Sequence, residues 1–385
     1  MKVAIVYDRV NKWGGAERVL LALHEMFPKA PLFTSVYSHK HAQWAEVFPR
    51  IHTSFLQKIP FTKKRHELLP LFMPMAFESF NFDDYDLAIS VTSEAAKGII
   101  TKGKTKHLCY CLTPTRYLWS GYEEYFGFKN YDLRFKNRIR NPIQKHFIRT
   151  ASRPAVNYLR RWDITAAQRP DIMLGISKEV QKRIKRYYNR ESGLVYPPVD
   201  IGRRKVGDVG VIREIGEGTM KDYFLVVSRL VPYKKVDLVV ETFNRLGLPL
   251  VVVGTGKEEK RLRKMAKGNI RVVGEVGEVR LGEMYKNAKA FIFPQEEDFG
   301  ITAVEAQSYG VPVIAFKKGG ALETVIHGKT GMFFEEQTIE SLGKAIKGLR
   351  DLRFKKDDLR KNAQKFSKEK FQREFEKQVV NALRH

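Results

Sequence analysis

Short runs of β-branched and aromatic residues alternate with amphipathic segments along most of the chain. Lys2–Tyr7 has the composition of a buried strand, and Ala16–Phe27 carries apolar residues at helical spacing. Strands that alternate with helices form parallel sheets, because each parallel pair needs a crossover connection. We therefore predict an α/β fold of doubly wound parallel sheets. The other predicted strands are Leu87–Val91, His107–Leu112, Ile172–Ile176, Tyr223–Val227, Leu250–Val253, Ile270–Val273, Ala290–Phe293 and Val313–Ala315.

Paired prolines divide this pattern into two halves. They lie in Val195–Asp200, and a glycine- and charge-rich stretch follows up to Lys221. Such a stretch stiffens a linker and interrupts regular structure. We predict an N-terminal domain over residues 1–200 and a C-terminal domain over residues 201–365, facing each other across a cleft. The amphipathic segment Phe366–His385 is predicted to be a helix that packs back on the N-terminal domain.

The net charge of +26 over 385 residues is concentrated in the N-terminal half. Arg134–Arg190 contains 16 Lys and Arg against three acidic residues, about half of the excess. This excess of positive charge favours an anionic partner. The candidates are a phosphorylated substrate, an anionic lipid surface and nucleic acid. The alternative is the lysine-rich surface of a heat-adapted protein, but such surfaces balance lysine with glutamate and this segment does not.

The compartment is predicted from cysteines and from hydropathy. Cys109 and Cys111 would point to opposite faces of an extended segment, so we expect no disulfide between them. No signal pattern precedes the first strand, and no apolar run approaches the roughly 20 residues that span a bilayer. We expect a cytoplasmic protein, peripheral on the inner face of the cell membrane. The basic cluster Lys63–Arg65 beside the apolar segment Leu68–Phe77 is a candidate for that contact, and an ordinary buried helix is the alternative.

Two glutamates follow the strand that ends at Pro294. Glu297 and Glu305 have seven residues between them, and Gly300 allows a tight entry into a helix. Free backbone N–H groups at that helix start favour an anion. A carboxylate at Glu305 suits the two hydroxyls of a ribose, and Glu297 suits the hydroxyls of a sugar ring. Two solvated glutamates near a helix start are the alternative, and spacing alone does not decide.

Two cations follow the predicted strand Tyr223–Val227. Arg229 stands at its carboxyl end and Lys234 in the loop before the next helix. Together they suit a diphosphate, Arg through its planar fork and Lys as a point charge. They would also stabilise the charge on a departing nucleoside diphosphate. As single residues they are ordinary surface cations, so the evidence is the whole string Ser228–Asp237.

In order and spacing these strings resemble the retaining glycosyltransferases of family four, the group 1 transferases, which have the GT-B fold of two Rossmann-like domains. The Arg–x4–Lys and Glu–x7–Glu strings match the family's sugar-donor pattern, and the resemblance covers nearly all of residues 220–335. Further matching segments are Val252–Gly256, Gly274–Val276 and Gly319–Val325.

The resemblance implies a site for a nucleotide-sugar. Arg229 and Lys234 would bind the pyrophosphate, Glu305 the ribose and Glu297 the transferred sugar. Arg229, Lys234 and Glu297 would be the catalytic residues. The other residues implied on the sugar-donor side are Gly15, Gly254, Gly274, Val276, Phe299, Gly300 and Ile301.

The resemblance also implies that neither a metal nor another cofactor is needed. In retaining GT-B enzymes the leaving diphosphate takes the proton from the acceptor hydroxyl, and protein cations do the electrostatic work of a metal. Asp84–Asp86 does form a D-x-D triplet, as in metal-dependent transferases. We interpret it as turn chemistry before the strand Leu87–Val91.

The N-terminal half resembles the family more loosely. Gly14 and Gly15 look like its glycine loop, and Tyr110–Tyr117 resembles a string in bacterial O-antigen and exopolysaccharide mannosyltransferases. This subgroup implies GDP-mannose as the sugar donor and a lipid-linked or polysaccharide acceptor. Leu112 stands where those relatives carry a histidine that approaches the transferred sugar. The polar groups expected on the acceptor side are Thr113, Thr115 and Arg116.

Two alternative functions stay open. One is a GT-B transferase that uses a UDP- or ADP-sugar on a soluble acceptor. The other is a basic nucleic-acid-binding protein without transferase activity, since Arg134–Arg190 interleaves aromatic with basic residues. No recognised nucleic-acid motif accompanies them, so we do not expect nucleic acid as a partner.

Overall fold

The chain forms two compact units, each built on one parallel sheet. The computed structural model describes residues 1–59, 70–123, 142–201 and 222–384. The first unit comprises Met1–Pro197 and Phe371–His385, and the second comprises Pro198–Lys370. Each sheet places its first strand in the middle of the strand order, which is the doubly wound arrangement. The prediction of two Rossmann-like parallel-sheet domains is confirmed.

The sheet of the first unit has seven described strands in the order β3-β2-β1-β4-β5-β6-β7. The strands are β1 (Val3–Tyr7), β2 (Leu32–Thr34), β3 (Ile51–Thr53), β4 (Leu87–Thr92), β5 (Lys106–Cys111), β6 (Ile172–Gly175) and β7 (Gly193–Leu194). The described helices of this part of the chain are α1 (Gly15–Met26), α2 (Met73–Glu78), α3 (Pro142–Ala166) and α4 (Lys178–Tyr188). β1 pairs with both β2 and β4, so the strand order reverses beside β1.

The sheet of the second unit has six described strands in the order β10-β9-β8-β11-β12-β13. They are β8 (Tyr223–Val227), β9 (Leu250–Val253), β10 (Ile270–Gly274), β11 (Ala288–Phe293), β12 (Val313–Phe316) and β13 (Gly331–Phe334). The described helices of this part of the chain are α5 (Val236–Leu246), α6 (Glu259–Met265), α7 (Glu278–Lys286), α8 (Ile301–Ser308), α9 (Ala321–Thr324), α10 (Ile339–Gly348), α11 (Lys356–Gln364) and α12 (Lys368–Arg384), of which α12 belongs mostly to the first unit. Here the order reverses between β8 and β11.

Both faces of the second sheet are buried, which explains its nearly continuous apolar strands. Phe224 and Val226 of β8 pack into one core cluster, whereas Tyr223 and Leu225 pack into the cluster on the opposite face. Successive strand residues point to opposite faces, so a strand covered on both sides must be apolar throughout. This is why the sequence pattern identified β8 with the bounds that the structure shows.

Four short strands were missed in the sequence. They are β2, β3, β7 and β13, of three, three, two and four residues. A run of this length carries too little periodicity to be separated from a loop, and its strand geometry depends on pairing with a longer neighbour.

The last helix, α12, begins at Lys368, two residues after the predicted start at Phe366. From Phe371 onward it belongs to the first unit. The Phe371 and Phe375 rings lie 5.7 and 5.8 Å from the Tyr110 ring of β5, measured between centroids. All three side chains are buried, so the helix closes part of the core of the first unit.

The membrane-related expectations meet the structure only in part. In the described parts of the chain, every helix is too short or too polar to cross a membrane. The basic cluster Lys63–Arg65 lies outside the described residues. The apolar segment that follows it forms a turn, Pro70–Phe72, and then α2.

His107 is a buried neutral imidazole on β5. Its Nε2 atom lies 2.8 Å from the Ser90 hydroxyl. Burial, together with the nearby charges of Arg190 and Arg169, lowers the pKa of His107 to about 3. The ring is therefore uncharged in the folded protein across the physiological range.

We expect His107 to make stability depend on pH below about 6.5. Because its pKa is about 3 in the folded protein and about 6.5 in an unfolded chain, the unfolded chain gains a proton first as the pH falls. The stability from the neutral ring is complete above pH 6.5 and is lost by about 1.4 kcal/mol per pH unit below it. His107→Gln should show a shallower fall of Tm between pH 7 and pH 5 than the parent protein.

The exposed histidine at position 39 supplies the control. His39 pairs with Glu46 at the surface, and its side chain is 69% exposed. His39→Gln should keep the pH dependence of the parent. Identical Tm-against-pH curves for His107→Gln and the parent would contradict the assignment.

Candidate functional site

Arg229 lies just after β8, in a loop packed closely against the loop after β9. The Leu230 N–H donates to the Thr255 carbonyl at 2.8 Å. A Cβ atom at Gly254 would lie 1.9 Å from the Ser228 carbonyl oxygen, so only glycine fits there. Gly254, which the resemblance assigns to the sugar-donor side, thus has a packing role that needs no ligand.

The Arg229 side chain is exposed and lies against Tyr233. Its guanidinium donates a hydrogen bond to the Tyr233 hydroxyl and lies 5.9 Å from the ring centroid. The Lys234 Nζ atom lies 5.3 Å from the same centroid. Tyr233 therefore holds two cations near one ring, at the carboxyl end of β8.

Lys234 forms an ion pair with Glu297. The two side chains are only 12% and 19% exposed. Lys234 ends the turn Pro232–Lys234 after β8, and Glu297 lies in the loop after β11. β8 and β11 are neighbours in the sheet, so parallel pairing brings the two sequence motifs together.

Two glycines from another loop hold the main chain around Glu297. The Gly320 N–H donates to the Glu297 carbonyl at 2.8 Å. A Cβ at Gly320 would lie 2.3 Å from the Phe299 Cα atom, and one at Gly319 would lie 2.4 Å from the Glu297 carbonyl oxygen. Phe299 is buried, with its ring centroid 5.3 Å from that of Phe366. This packing explains why the segment beginning at Gly319 accompanies the glutamate motif.

Helix α8 begins directly after Gly300. Gly300 has a φ of 97°, in the left-handed region that favours glycine. Ile301 is the first helical residue, so the first N–H groups of the helix lack intrahelical partners. Phe299, Gly300 and Ile301, which were predicted to contact sugar or phosphate, thus lie together where a helix favours anions.

Glu305 lies in α8 and is almost completely buried, with 1% of its surface exposed. The Tyr285 hydroxyl donates to its Oε2 atom at 3.1 Å. Tyr285 stacks on Tyr309 with 5.4 Å between ring centroids. The carboxylate is therefore buried and held by Tyr285, a tyrosine that is itself stacked on Tyr309.

Gly274 and Val276 lie at the carboxyl end of β10. The Gly274 carbonyl accepts a hydrogen bond from the Gly254 N–H at 2.7 Å. Val276 is partly buried and packs on the core cluster that includes α7 residues. Their loop lies at the same edge of the sheet as Arg229, since all strands of the sheet are parallel.

Gly14 and Gly15 precede and begin α1. The φ of Gly14 is 178°, which is extended backbone open to any residue. Two residues into the helix, Glu17 is buried and accepts a hydrogen bond from the Tyr7 hydroxyl at 2.7 Å. Burial and the Glu17 charge raise the pKa of Tyr7 well above its ordinary value. The buried hydrogen bond between Tyr7 of β1 and Glu17 of α1 thus fixes the start of the helix that follows the glycine loop.

Thr113 and Arg116, predicted on the acceptor side, follow the end of β5. Thr113 is 4% exposed. Its hydroxyl has no hydrogen-bond partner among the described residues. Arg116 and Leu112 are half-buried. The next hydroxyl along the loop, on Thr115, donates to Asp163 at 2.8 Å, so it is engaged inside the protein.

Lys97 and Asp163 form an ion pair that sequence reasoning missed. The Lys97 Nζ and Asp163 Oδ1 atoms are 2.6 Å apart, and each side chain is 1% exposed. Asp163 also accepts from Thr115, the Trp119 indole and the Tyr188 hydroxyl at 2.7–2.8 Å. Burial opposes the charged amine, yet Asp163 keeps the pKa of Lys97 above its ordinary value. The network fastens the Thr113–Trp119 loop to helices α3 and α4.

The D-x-D triplet takes part in strand packing. The Asp86 carboxylate accepts from the Lys2 N–H at 2.6 Å, and Asp84 is exposed. Over the part of the chain that the structure describes, no cluster of three or more His, Cys, Asp or Glu side chains could hold a metal ion. The carboxylate of Asp86 ties the start of β4 to the start of β1.

Residues 211–366 match the family model described as glycosyl transferases group 1. This segment is less than half of the chain, and it contains all the site residues that the sequence predicts in the second unit. The resemblance to group 1 glycosyltransferases is confirmed for this segment.

Curated relatives match part of the chain. It is 28% identical over 217 residues to D-inositol 3-phosphate glycosyltransferase 2 of Catenulispora acidiphila, covering 50% of this chain and 51% of that protein. It is 33% identical over 138 residues to a GDP-mannose-dependent α-(1-6)-phosphatidylinositol monomannoside mannosyltransferase of Mycobacterium tuberculosis, covering 31% of this chain and 36% of that one. The matches thus span about half the length of the first relative and about a third of the second.

Solved structures match nearly the whole chain. HepE of Anabaena in complex with UDP-glucose has a TM-score of 0.68 at 16% identity, covering 99% of this chain and 100% of that one. Sucrose-phosphate synthase of Thermosynechococcus elongatus has a TM-score of 0.69 at 16% identity, covering 99% of each chain. At this identity the likeness shows the fold, which is the predicted GT-B type.

The buried network yields a stability prediction. Lys97→Met would leave the Asp163 carboxylate buried without its charge partner, so we expect the free energy of unfolding to fall by roughly 3–5 kcal/mol. Lys97→Met combined with Asp163→Asn should be less destabilised than the sum of the single variants, because the charge left behind is removed. Chemical denaturation of the four proteins measures this cycle.

A surface pair gives the matched control. Lys102 and Asp83 form an exposed ion pair at 2.8 Å, and Lys102→Met should leave the denaturation midpoint unchanged. Strictly additive effects in the Lys97 and Asp163 variants would contradict a coupled buried pair.

Proposed function

We propose that the protein is a retaining glycosyltransferase that moves a sugar from a nucleotide-sugar to a lipid-linked or polysaccharide acceptor in the synthesis of a cell-surface glycan. The observation that carries this proposal is the ion pair between Lys234 and Glu297. It lies at the carboxyl ends of the neighbouring strands β8 and β11, close to Arg229. This is the point where the strand order reverses, and open α/β sheets bind ligands there. Cations for a diphosphate thus lie next to a carboxylate for a sugar.

In the proposed reaction the bond between the anomeric carbon and the leaving phosphate oxygen breaks. The acceptor hydroxyl oxygen bonds to that carbon on the same face, and its proton passes to the leaving phosphate oxygen. Arg229 and Lys234 stabilise the negative charge that grows on the diphosphate. Glu297 accepts hydrogen bonds from the sugar and orients the Lys234 amine through their ion pair.

The proposed ribose contact is Glu305. Its carboxylate suits two neighbouring hydroxyls, and the bond from Tyr285 fixes its orientation. The α8 start at Phe299–Ile301 adds N–H groups for the sugar or phosphate. With two cations and a helix start available for the diphosphate, the proposed transfer uses no metal and no other cofactor.

GDP-mannose is the favoured sugar donor in this proposal. It is supported by the Tyr110–Tyr117 string and by the mycobacterial relative, whose name includes GDP-mannose. A UDP- or ADP-sugar is the alternative, since HepE was solved with UDP-glucose and other relatives are glycogen synthases. Leu112 cannot form the hydrogen bond of the subgroup's histidine, so sugar choice rests on other groups. The nucleic-acid alternative gains no support from the family match or from these relatives.

Nucleotide binding tests the proposal. We expect one of GDP, UDP and ADP to raise the Tm selectively, with EDTA making no difference. In Glu305→Gln, which keeps the side-chain volume beside Tyr285, the shift should fall sharply because the ribose loses a charged acceptor. In Lys234→Gln, affinity for the diphosphate should fall roughly 10- to 100-fold while affinity for the free nucleoside stays unchanged, because one charge-assisted hydrogen bond is lost.

An exposed glutamate in the same unit is the control for this experiment. Glu340 lies on α10 with its side chain 76% exposed, and Glu340→Gln should show the full nucleotide shift. Absence of stabilisation by all three nucleotides, or an undiminished shift in both Glu305→Gln and Lys234→Gln, would sink the proposal.

We also propose that the protein is peripheral on an anionic membrane surface. Support comes from three exposed apolar side chains around the start of α2: Leu71, Phe72 and Met75 are 44%, 42% and 54% exposed. Met73 and Phe77 on the same helix are buried, so the helix that carries the exposed side chains is packed against the core. In the sequence the basic cluster Lys63–Arg65 precedes this segment, and a combination of apolar and basic residues is typical of interfacial binding.

Vesicle co-sedimentation tests the membrane proposal. Leu71→Ser combined with Met75→Ser should bind vesicles of phosphatidylcholine and phosphatidylglycerol at least about tenfold more weakly, because two apolar contacts are lost. Leu322→Ser, at a 52% exposed position of the second unit, should bind like the parent. Equal binding by all three proteins, or equal binding to vesicles of phosphatidylcholine alone, would contradict it.

A further inference from the structure

A pair of tryptophans lies beside the glycine loop of the first unit, and none of the roles assigned above uses it. Trp13 is 48% exposed, although a Trp side chain is among the largest apolar groups a core can bury. Trp44 is partly buried next to it. Their ring centroids are 6.1 Å apart with an interplanar angle of 57°. The two rings thus form an open, angled aromatic surface.

This surface is held by the main chain on both sides. The Trp44 indole N–H donates to the Lys12 carbonyl at 2.8 Å. The segments before the two rings are joined as well, because the Val10 N–H donates to Val36 and the Ser38 N–H donates to Val10, at 2.9 and 2.8 Å. The rings are therefore pre-organised, which reduces the entropy that a ligand would lose on binding.

The pair lies at the ligand-binding edge of its own sheet. Trp13 is in the loop after β1, and Trp44 is in the segment after β2, so both follow the carboxyl ends of neighbouring parallel strands. The strand order reverses between β1 and β4, which makes this edge the expected ligand crevice of the unit. Trp13 directly precedes Gly14 and Gly15.

Most of the exposed side chains in the segment that carries Trp44 are polar, and Val47, 50% exposed, is the apolar exception. Ser38 and His41 face each other at 3.0 Å, and His39 pairs with the acidic Glu46 at 2.9 Å. Hydroxyl, imidazole and carboxylate groups suit the hydroxyl rim of a sugar, whereas an aromatic face suits the C–H face of a pyranose ring. A lipid would prefer several aliphatic neighbours, but the segment His39–Val47 exposes only Val47, whereas Leu71 and Met75 are exposed together around the start of α2.

We propose that Trp13 and Trp44 form an acceptor subsite that stacks against a sugar ring of a glycan. The inference rests on the proposed function, because it names the class of acceptor for the same enzyme. A glycan with more than one sugar fits this assignment, since one ring can stack while another presents its hydroxyl for transfer.

Affinity electrophoresis in native gels containing mannan, dextran or glycogen tests the subsite. At least one polysaccharide should retard the parent protein. Trp13→Ala should bind it about tenfold more weakly, and Trp13→Phe should keep most of the affinity because an aromatic face remains. Tyr158→Ala removes another exposed aromatic ring of the first unit, 54% exposed on α3, and should be retarded like the parent.

Three results would overturn the subsite: no retardation by any of the three polysaccharides, equal retardation of Trp13→Ala and the parent, or a Trp13→Ala defect that appears only with anionic vesicles or single-stranded RNA. The nucleotide-induced Tm shift of Trp13→Ala separates this inference from the proposed function. A normal shift together with a negative gel result rejects the subsite alone. A parent protein that no nucleotide stabilises rejects the proposed function, whatever the gel shows.

Discussion

The parallel pairing of β8 with β11 is the constraint on which the candidate site depends. Phe224 pairs with Ala290 and Leu225 with Phe291, so the two strands end at the same edge of the sheet. Their following loops must then meet, and they carry Lys234 and Glu297. The first unit uses the same constraint between β1 and β4, where Asp8 after β1 accepts hydrogen bonds from the last residue of β4 and from three residues of the segment after it. In both units a polar junction forms where the strand order reverses.

Much of the second unit could be predicted because its motifs encode backbone geometry as well as chemistry. Gly300 is required by a left-handed φ at the start of α8, and Gly320 by the close approach of Phe299. Positions of this kind tolerate few alternatives, so the strings that contain them are specific. The tyrosines that orient the charged groups were not predicted. Tyr285 reaches Glu305 from another helix, a contact that no local pattern records, and Tyr233 lies only four residues from Arg229 but was not assigned a role.

The buried ion pair of Lys97 and Asp163 could not be predicted from the sequence. Lysine and aspartate are almost always exposed, so a sequence argument places both in solvent and counts Asp163 only as one of three acids in a basic segment. The structure surrounds that carboxylate with four donors from three separate parts of the chain: Lys97, the Thr113–Trp119 loop and Tyr188. Their convergence appears only after the first unit is assembled.

The last helix has a consequence for how the protein is made. Residues from Phe371 onward belong to the unit whose other residues end at Pro197, and the whole second unit lies between them in the chain. A ribosome therefore completes every residue of the second unit before it supplies the two phenylalanines that cover Tyr110. Domains usually fold in the order in which they are synthesised. Here the N-terminal unit can begin to fold first, but its core can be completed only after the second unit has been synthesised. Part of that core therefore stays exposed during translation.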